Sequence, residues 1–288
     1  MVAPSDLAYE VVDVFTDTAF AGNPLAVVLE ADDLATADLQ AIANEFALSE
    51  TAFPMAPDAD GADYRLRIFT PAVELPFAGH PSVGAAWVLR RAGRIGAGRV
   101  VQSCGAGLLP LEVADDGITL QGGTPSYGPV LDAAPLLAGT GLRPDDLAGQ
   151  PRTASCGLGF TYLPVRADAL ARVRVDVAAL QRLELADGPF GGLSVVAWDG
   201  ATARCRVFAY QAGVAEDPAT GSAALGLGAY LVAGGVLPDG GPYEVVQGVE
   251  MGRPSRLSCT VTARDGRPVS ATVRGTVVPV AAGRIRRP

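Results

Sequence analysis

Three ionisable residues stand out for the company they keep. Glu50 lies in Leu48-Ser49-Glu50-Thr51, His80 in the run LPFAGHPSVGAAW, and Asp217 at the head of DPATGSAALGLG. The last two are polar groups set into otherwise apolar segments. A carboxylate and an imidazole are the side chains best suited to take up a proton and return it near neutral pH. Each residue taken singly has an ordinary reading: Asp217 as a helix N-cap, His80 as a hydrogen-bonded structural histidine, Glu50 as a surface or capping carboxylate. Their shared setting favours chemistry. Gly79, Gly84 and Gly221 let a ligand come close to the backbone, and Ser222 adds a hydroxyl.

Composition narrows that chemistry. Among 288 residues there is no lysine and one histidine. Schiff-base and pyridoxal-phosphate chemistry, a Walker-type P-loop, a multi-histidine metal site and a conventional serine triad are therefore excluded, and neither metal nor organic cofactor is expected. The net charge of −9 makes nucleic acid an unsuitable partner. The N-terminus has neither the basic start nor the apolar core of a signal peptide, and four well-separated cysteines read as reduced thiols, so a cytoplasmic protein is expected. Residues 218–238 carry no charge, but the run is rich in Ala and Gly and bounded by proline. It reads as the buried central helix of a globular domain rather than a membrane span.

These residues need elements to hold them. Alternation and β-branched residues predict strands at 9–15, 25–30, 64–69, 108–113, 162–166, 193–198, 204–209 and 256–263. Leu39, Ile42, Ala43 and Phe46 predict a helix over 36–46 with Thr36 as N-cap. Two more apolar helices are predicted from Pro81 to about Arg91 and from Pro218 to about Ala233, each ending at glycine. Those two read as copies. His80-Pro-Ser-Val-Gly84-Ala-Ala86 and Asp217-Pro-Ala-Thr-Gly221-Ser-Ala223 share X-Pro-x-x-Gly-x-Ala, and Arg67-Ile68-Phe69 and Arg206-Val207-Phe208 precede them. The expectation is two pseudo-symmetric α+β halves, each a set of strands around an apolar helix. The N-terminal half would span 1–122, a Gly/Pro/Ser-rich linker 123–129, and the C-terminal half 130–268. Facing halves would aim both helix starts, with their unpaired N–H groups, at a carboxylate-bearing small molecule.

Cys104-Gly-Ala-Gly107 and Cys156-Gly-Leu-Gly159 both read C-G-x-G. Two thiols on opposite faces of a substrate would make a racemase, but each pattern runs into a strand and reads as a glycine turn.

The chain resembles the PhzF-like family, the phenazine-biosynthesis isomerase group. The likeness covers nearly the whole length: VDVFTDTAFAGNPLAVV (12–28), DDLATADLQAIANEFALSETAF (32–53), RIFTPAVELPFAGHPSVGAA (67–86), GVAEDPATGSAA (213–224) and QGVEMGRPS (247–255). The resemblance implies the diaminopimelate-epimerase fold, with two halves that are each a mixed sheet or barrel around a central helix, and the N-terminal half completed by a C-terminal strand at 272–281. It implies a homodimer without cofactor. It also implies Glu50, His80 and Asp217 as catalytic residues, with Gly79, Gly221 and Ser222 binding substrate. The family usually has a proline soon after the strand before the second helix; here Phe208-Ala209-Tyr210-Gln211 stands instead, and Tyr210 is a further candidate for substrate contact. The function expected is a cofactor-independent isomerase that moves a proton and double bond within a cyclic or unsaturated carboxylic acid, in phenazine-type natural-product biosynthesis. Glu50 would be the acid/base, partly desolvated to raise its pKa. A cysteine-dependent racemase or epimerase and a non-catalytic binding relative are the alternatives.

Overall fold

The computed structural model describes residues 6–183, 191–210 and 214–288; Gln211 and Gly213 lie outside the described residues. The chain divides into two compact units, Met1–Gln121 with Arg274–Pro288, and Gly122–Val273.

In the first unit, strand Asp6–Val14 pairs antiparallel with both Asn23–Val28 and the C-terminal strand Val277–Arg286. The chain then crosses through helix α1 (Thr36–Phe46) so that Glu50–Met55 lies parallel to Asn23–Val28, with Leu25 opposite Glu50. Burial explains α1: Leu39, Ile42 and Ala43 recur at helical spacing and pack with Leu7, Val28, Phe53 and Phe69. Strand Tyr64–Phe69 runs antiparallel to Glu50–Met55 and parallel to Gly98–Cys104. Helix α2 (Gly79–Arg91) is the centre, with every residue from Gly79 to Ala86 buried. Gly84 permits its close approach to the sheet, since a Cβ there would lie 2.5 Å from Leu25 Cδ2 and 2.9 Å from Val14 Cγ2.

The second unit repeats this pairing pattern. Strands Gly159–Pro164 and Gly192–Trp198 are parallel; Thr202–Ala209 runs antiparallel to the latter and parallel to Gly240–Gln247. Helices α3 (Ala133–Thr140) and α4 (Val177–Gln181) lie on an apolar cluster built from Leu136, Leu137, Leu170, Leu180 and Phe208. At the centre, α5 (Gly221–Ala233) is buried from Gly221 to Val232. The hydroxyls of Tyr162 and Tyr243 donate to the Ala223 and Ala224 carbonyls of α5. Gly226 makes room for the first of these rings, because its Cβ would lie 2.5 Å from Tyr162 Oη. Both halves of the expected α+β repeat are present, and no described helix is long and apolar enough to cross a membrane.

Several sequence expectations need correction. Ala35, not Thr36, is the N-cap of α1, and its N–H donates to Asp38; the Thr36 hydroxyl instead accepts from Arg67. Helix α2 begins two residues before Pro81, which its first turn tolerates because those N–H groups have no intrahelical acceptor. Helix α5 begins at Gly221 rather than at Pro218, leaving Asp217 at the end of strand Val214–Asp217 and not at an N-cap. Residues 123–129, expected to be a linker, contain most of strand Ser126–Val130, paired with Arg152–Ser155. A register shift between Arg152 and Ala154 absorbs Gly128 and Pro129 there, as bulges absorb residues a regular ladder rejects. The expected strand 272–281 is two strands, Arg267–Gly275 and Val277–Arg286, broken at Thr276, whose carbonyl accepts the Phe15 N–H.

Candidate active site

The first unit gathers polar side chains at the N-terminal ends of two parallel strands. Helix α1 stops at Ala47, whose left-handed backbone caps it, and the chain turns through Leu48 and Ser49 so that Glu50 is the first residue of its strand. The parallel register with Leu25 sets Asn23, the first residue of the neighbouring strand, at the same end of the sheet. Helix α2 delivers His80 there from its second position.

The outcome is a buried chain of contacts. Asn23 has no exposed surface, His80 is 3% exposed and Glu50 9%. His80 Nε2 lies 3.4 Å from Glu50 Oε2, a long contact for a hydrogen bond. On the other side of the ring, Nδ1 lies 3.2 Å from Asn23 Nδ2. The Ser49 hydroxyl donates to Asn23 Oδ1 at 3.1 Å. Burial pushes the His80 imidazolium down to about 3, so the ring is neutral at physiological pH. The contact with Glu50 is therefore that of a neutral imidazole with a carboxyl group, not an ion pair.

In the second unit Asp217, 8% exposed, sits at the end of its strand. Its Oδ2 accepts the Thr220 hydroxyl at 2.5 Å. Gln247, 1% exposed, fastens the segment before α5: its amide donates to the Asp217 carbonyl (2.7 Å) and to Thr220 Oγ1 (2.9 Å), and its carbonyl accepts the Thr220 N–H (3.2 Å). That is why α5 starts late. In a helix begun at Pro218 the Asp217 carbonyl would serve the Gly221 N–H; here Gln247 occupies it. Gly221 and Ser222 open α5 and are buried. Next to Asp217, Glu216 takes a two-pronged pair from Arg206 at 2.7 and 2.8 Å, while Arg206 also donates to the Leu170 and Val173 carbonyls.

The other candidates have different settings. Tyr210 stacks on Phe208 with ring centroids 6.2 Å apart and packs on the apolar cluster of the second unit; burial pushes its phenol up to about 12, so it remains a protonated donor. Burial pushes the Cys104 thiol up, and takes Cys156 and Cys205 to about 12. Cys156 donates to the Leu225 carbonyl at 3.4 Å. These are protonated, poorly nucleophilic thiols. Among the described residues no three His, Cys, Asp or Glu side chains gather as a metal site.

Sequence reasoning passed over Asn23, Ser49, Thr220 and Gln247. Each lies inside a quoted motif, FAGNP, LSET, DPATGS or QGVEMG. Asn before Pro reads locally as a turn residue, and glutamine at a strand end as solvent-facing; only tertiary structure reveals that both are buried.

A profile of the family described as phenazine biosynthesis-like protein (PhzC-PhzF) matches residues 12–283. An uncharacterized isomerase of Mesorhizobium japonicum is 36% identical over 295 residues, covering 96% of this chain and 98% of that protein. The trans-2,3-dihydro-3-hydroxyanthranilate isomerase of Pseudomonas aeruginosa is 35% identical over 286 residues, covering 96% and 98%. The crystal structure of a PhzF-family phenazine biosynthesis protein from Bacillus anthracis superposes with a TM-score of 0.85 at 25% identity, covering 98% of this chain and 99% of that one.

Proposed function

This chain belongs to the phenazine biosynthesis-like (PhzC-PhzF) family and is an isomerase, and from that premise we propose that it shifts a proton, and with it a double bond, within a cyclic or unsaturated carboxylic acid, with Glu50 as the acid/base. The observation that carries the reading is the buried Glu50–His80 contact at 3.4 Å.

The proposed steps balance without a cofactor. The Glu50 carboxylate takes a proton from a saturated carbon beside a double bond. The C–H electron pair moves into conjugation, giving an enol-type intermediate, and the protonated Glu50 returns the proton to a second carbon. A neutral His80 assists by donating a hydrogen bond without exchanging charge. The Gly79 N–H at the head of α2 is proposed as a substrate-orienting group, and Asp217, held by Thr220 and Gln247, with the Gly221 N–H and Ser222 at the head of α5, as a second proposed set. Elevated thiol pKa values weigh against the cysteine racemase, and a buried acid/base pair weighs against a binding protein that has shed its chemistry.

Glu50→Gln tests this with trans-2,3-dihydro-3-hydroxyanthranilate, named for the Pseudomonas relatives, and a panel of cyclic unsaturated carboxylates in deuterated buffer. The amide keeps the side chain's size and cannot take the proton. Turnover should fall by about 10²–10⁴-fold or more with ligand affinity largely kept. Wild-type turnover by the variant, or no turnover and no exchange of any of these compounds by the wild type, overturns the reading.

A further inference from the structure

We propose that Asn23 is a positioning residue that fixes His80 as the Nε2–H tautomer, so that the ring can only donate towards Glu50 and cannot drain the proton Glu50 carries. The inference deepens the proposed function and rests on Glu50 as acid/base; the tautomer itself does not depend on that reading.

The structure sets Asn23 Oδ1 against the Ser49 hydroxyl, which donates to it at 3.1 Å, and turns the NH₂ end of the amide away from Ser49. That end faces His80 Nδ1 at 3.2 Å. An amide N–H donates and never accepts, so with the amide in this orientation Nδ1 carries the lone pair. A neutral imidazole has one ring proton, which falls to Nε2, 3.4 Å from Glu50 Oε2. Burial of Asn23 and His80 leaves little room for water to substitute for either partner. The sheet fixes the backbone that carries the amide. Asn23 pairs with Val14 on one side, and its strand lies parallel to that of Glu50 on the other.

The chemical consequence concerns the half-reaction in which Glu50 is protonated. A histidine beside a carboxylic acid is ordinarily a route for the proton to escape. Here both ring positions are closed to it: Nε2 already holds hydrogen, and Nδ1 is occupied by the Asn23 donor. The proton taken from one substrate carbon therefore stays on Glu50 until it is returned to the other. No bond to His80 forms or breaks in the cycle.

His80 is the only histidine, so ¹⁵N-histidine labelling of the full chain gives a single pair of ring-nitrogen signals. At pH 7 the wild type should show a protonated Nε2 and an unprotonated Nδ1. An Nδ1–H tautomer or an imidazolium at that pH overturns the proposal. Asn23→Asp keeps the shape but offers only acceptors, and should move hydrogen onto Nδ1. With a substrate in hand it should lower kcat at least about tenfold, with a smaller change in KM, and raise the fraction of product carrying solvent deuterium. A folded Asn23→Asp chain with the wild-type tautomer, or with unchanged kcat and deuterium content, overturns it. If Asn23→Asp does not fold, Asn23→Ala takes its place: removing the amide donor should let both tautomers form, and an unmixed Nε2–H spectrum counts against the proposal. Should Glu50→Gln retain full turnover while these spectra behave as expected, the acid/base assignment falls and the tautomer assignment stands.

Discussion

His80 Nε2 lies 3.4 Å from Glu50 Oε2, although the two residues come from motifs thirty positions apart. Strand pairing makes the contact. The parallel register of Asn23–Val28 with Glu50–Met55 fixes where Glu50 begins, and the close approach of α2 at Gly84 fixes where His80 arrives. A neutral imidazole against a buried carboxyl group is an arrangement that general acid–base chemistry uses and a purely structural core has little reason to build.

Asp217 should matter differently from Glu50. Its carboxylate is held by the Thr220 hydroxyl, and its proposed role is to orient substrate rather than to carry a proton. Asp217→Asn keeps that contact and loses charge. It should lower kcat/KM by about 10–10²-fold, with more of the loss in KM than in kcat. Steady-state kinetics with the substrate used for Glu50→Gln decides this, and a loss confined to kcat would move the acid/base role towards Asp217.

What the sequence reveals and what it hides have separable causes. Glu50, His80 and Asp217 are visible because charge inside an apolar run is costly and needs a reason. The two-unit repeat is visible because it recurs in motif and spacing, and the strand pairings around α2 and α5 repeat it. The start of α5 is hidden because the residue that delays it, Gln247, lies 30 positions away and acts through the Asp217 carbonyl. Strand Ser126–Val130 is hidden because Gly, Pro and Ser signal a loop locally, while a bulge opposite Arg152–Ala154 lets them pair. Asn23 is hidden because its partners, Ser49 and His80, are distant in sequence.

Gln247→Leu should destabilise the protein strongly. It removes three hydrogen bonds and leaves the Asp217 carbonyl and the Thr220 N–H without that partner in a buried segment. At about 1–3 kcal/mol for each buried group that loses its partner, the expected loss is about 2–6 kcal/mol. Urea unfolding should show a lower midpoint at an unchanged m-value. A midpoint equal to wild type would mean Gln247 is not what fixes the start of α5.

The thiols should be slow to react and dispensable for turnover. Burial raises Cys104 and takes Cys156 and Cys205 to about 12, so iodoacetamide at pH 7 should label the native chain far more slowly than the urea-unfolded chain. Cys104→Ala and Cys156→Ala should keep kcat within about tenfold, a barrier change of no more than about 1.4 kcal/mol. A folded variant of either kind that binds ligand but does not turn over would restore the thiol racemase.

Stability should fall as pH drops from about 7 to 5, and His80 should be the cause. The ordinary value for histidine is 6.5, and burial lowers His80 to about 3 in the folded chain. Between those values the unfolded chain binds a proton that the folded chain refuses. The stabilisation is therefore complete above pH 6.5 and is lost progressively as pH falls towards 3. The slope approaches about 1.4 kcal/mol per pH unit, which gives a loss of about 2 kcal/mol between pH 7 and pH 5. The window is informative because the chain has a single histidine, while its strongly paired carboxylates, such as Asp168 at about 2, titrate lower still. Urea midpoints measured at half-unit steps from pH 7.5 to 5 should decline for the wild type and stay nearly level for His80→Gln, whose side chain has no proton to gain. A wild-type midpoint that does not move across this range would mean that His80 takes up its proton as readily folded as unfolded, and the neutral donor assigned to it beside Glu50 would have to be abandoned.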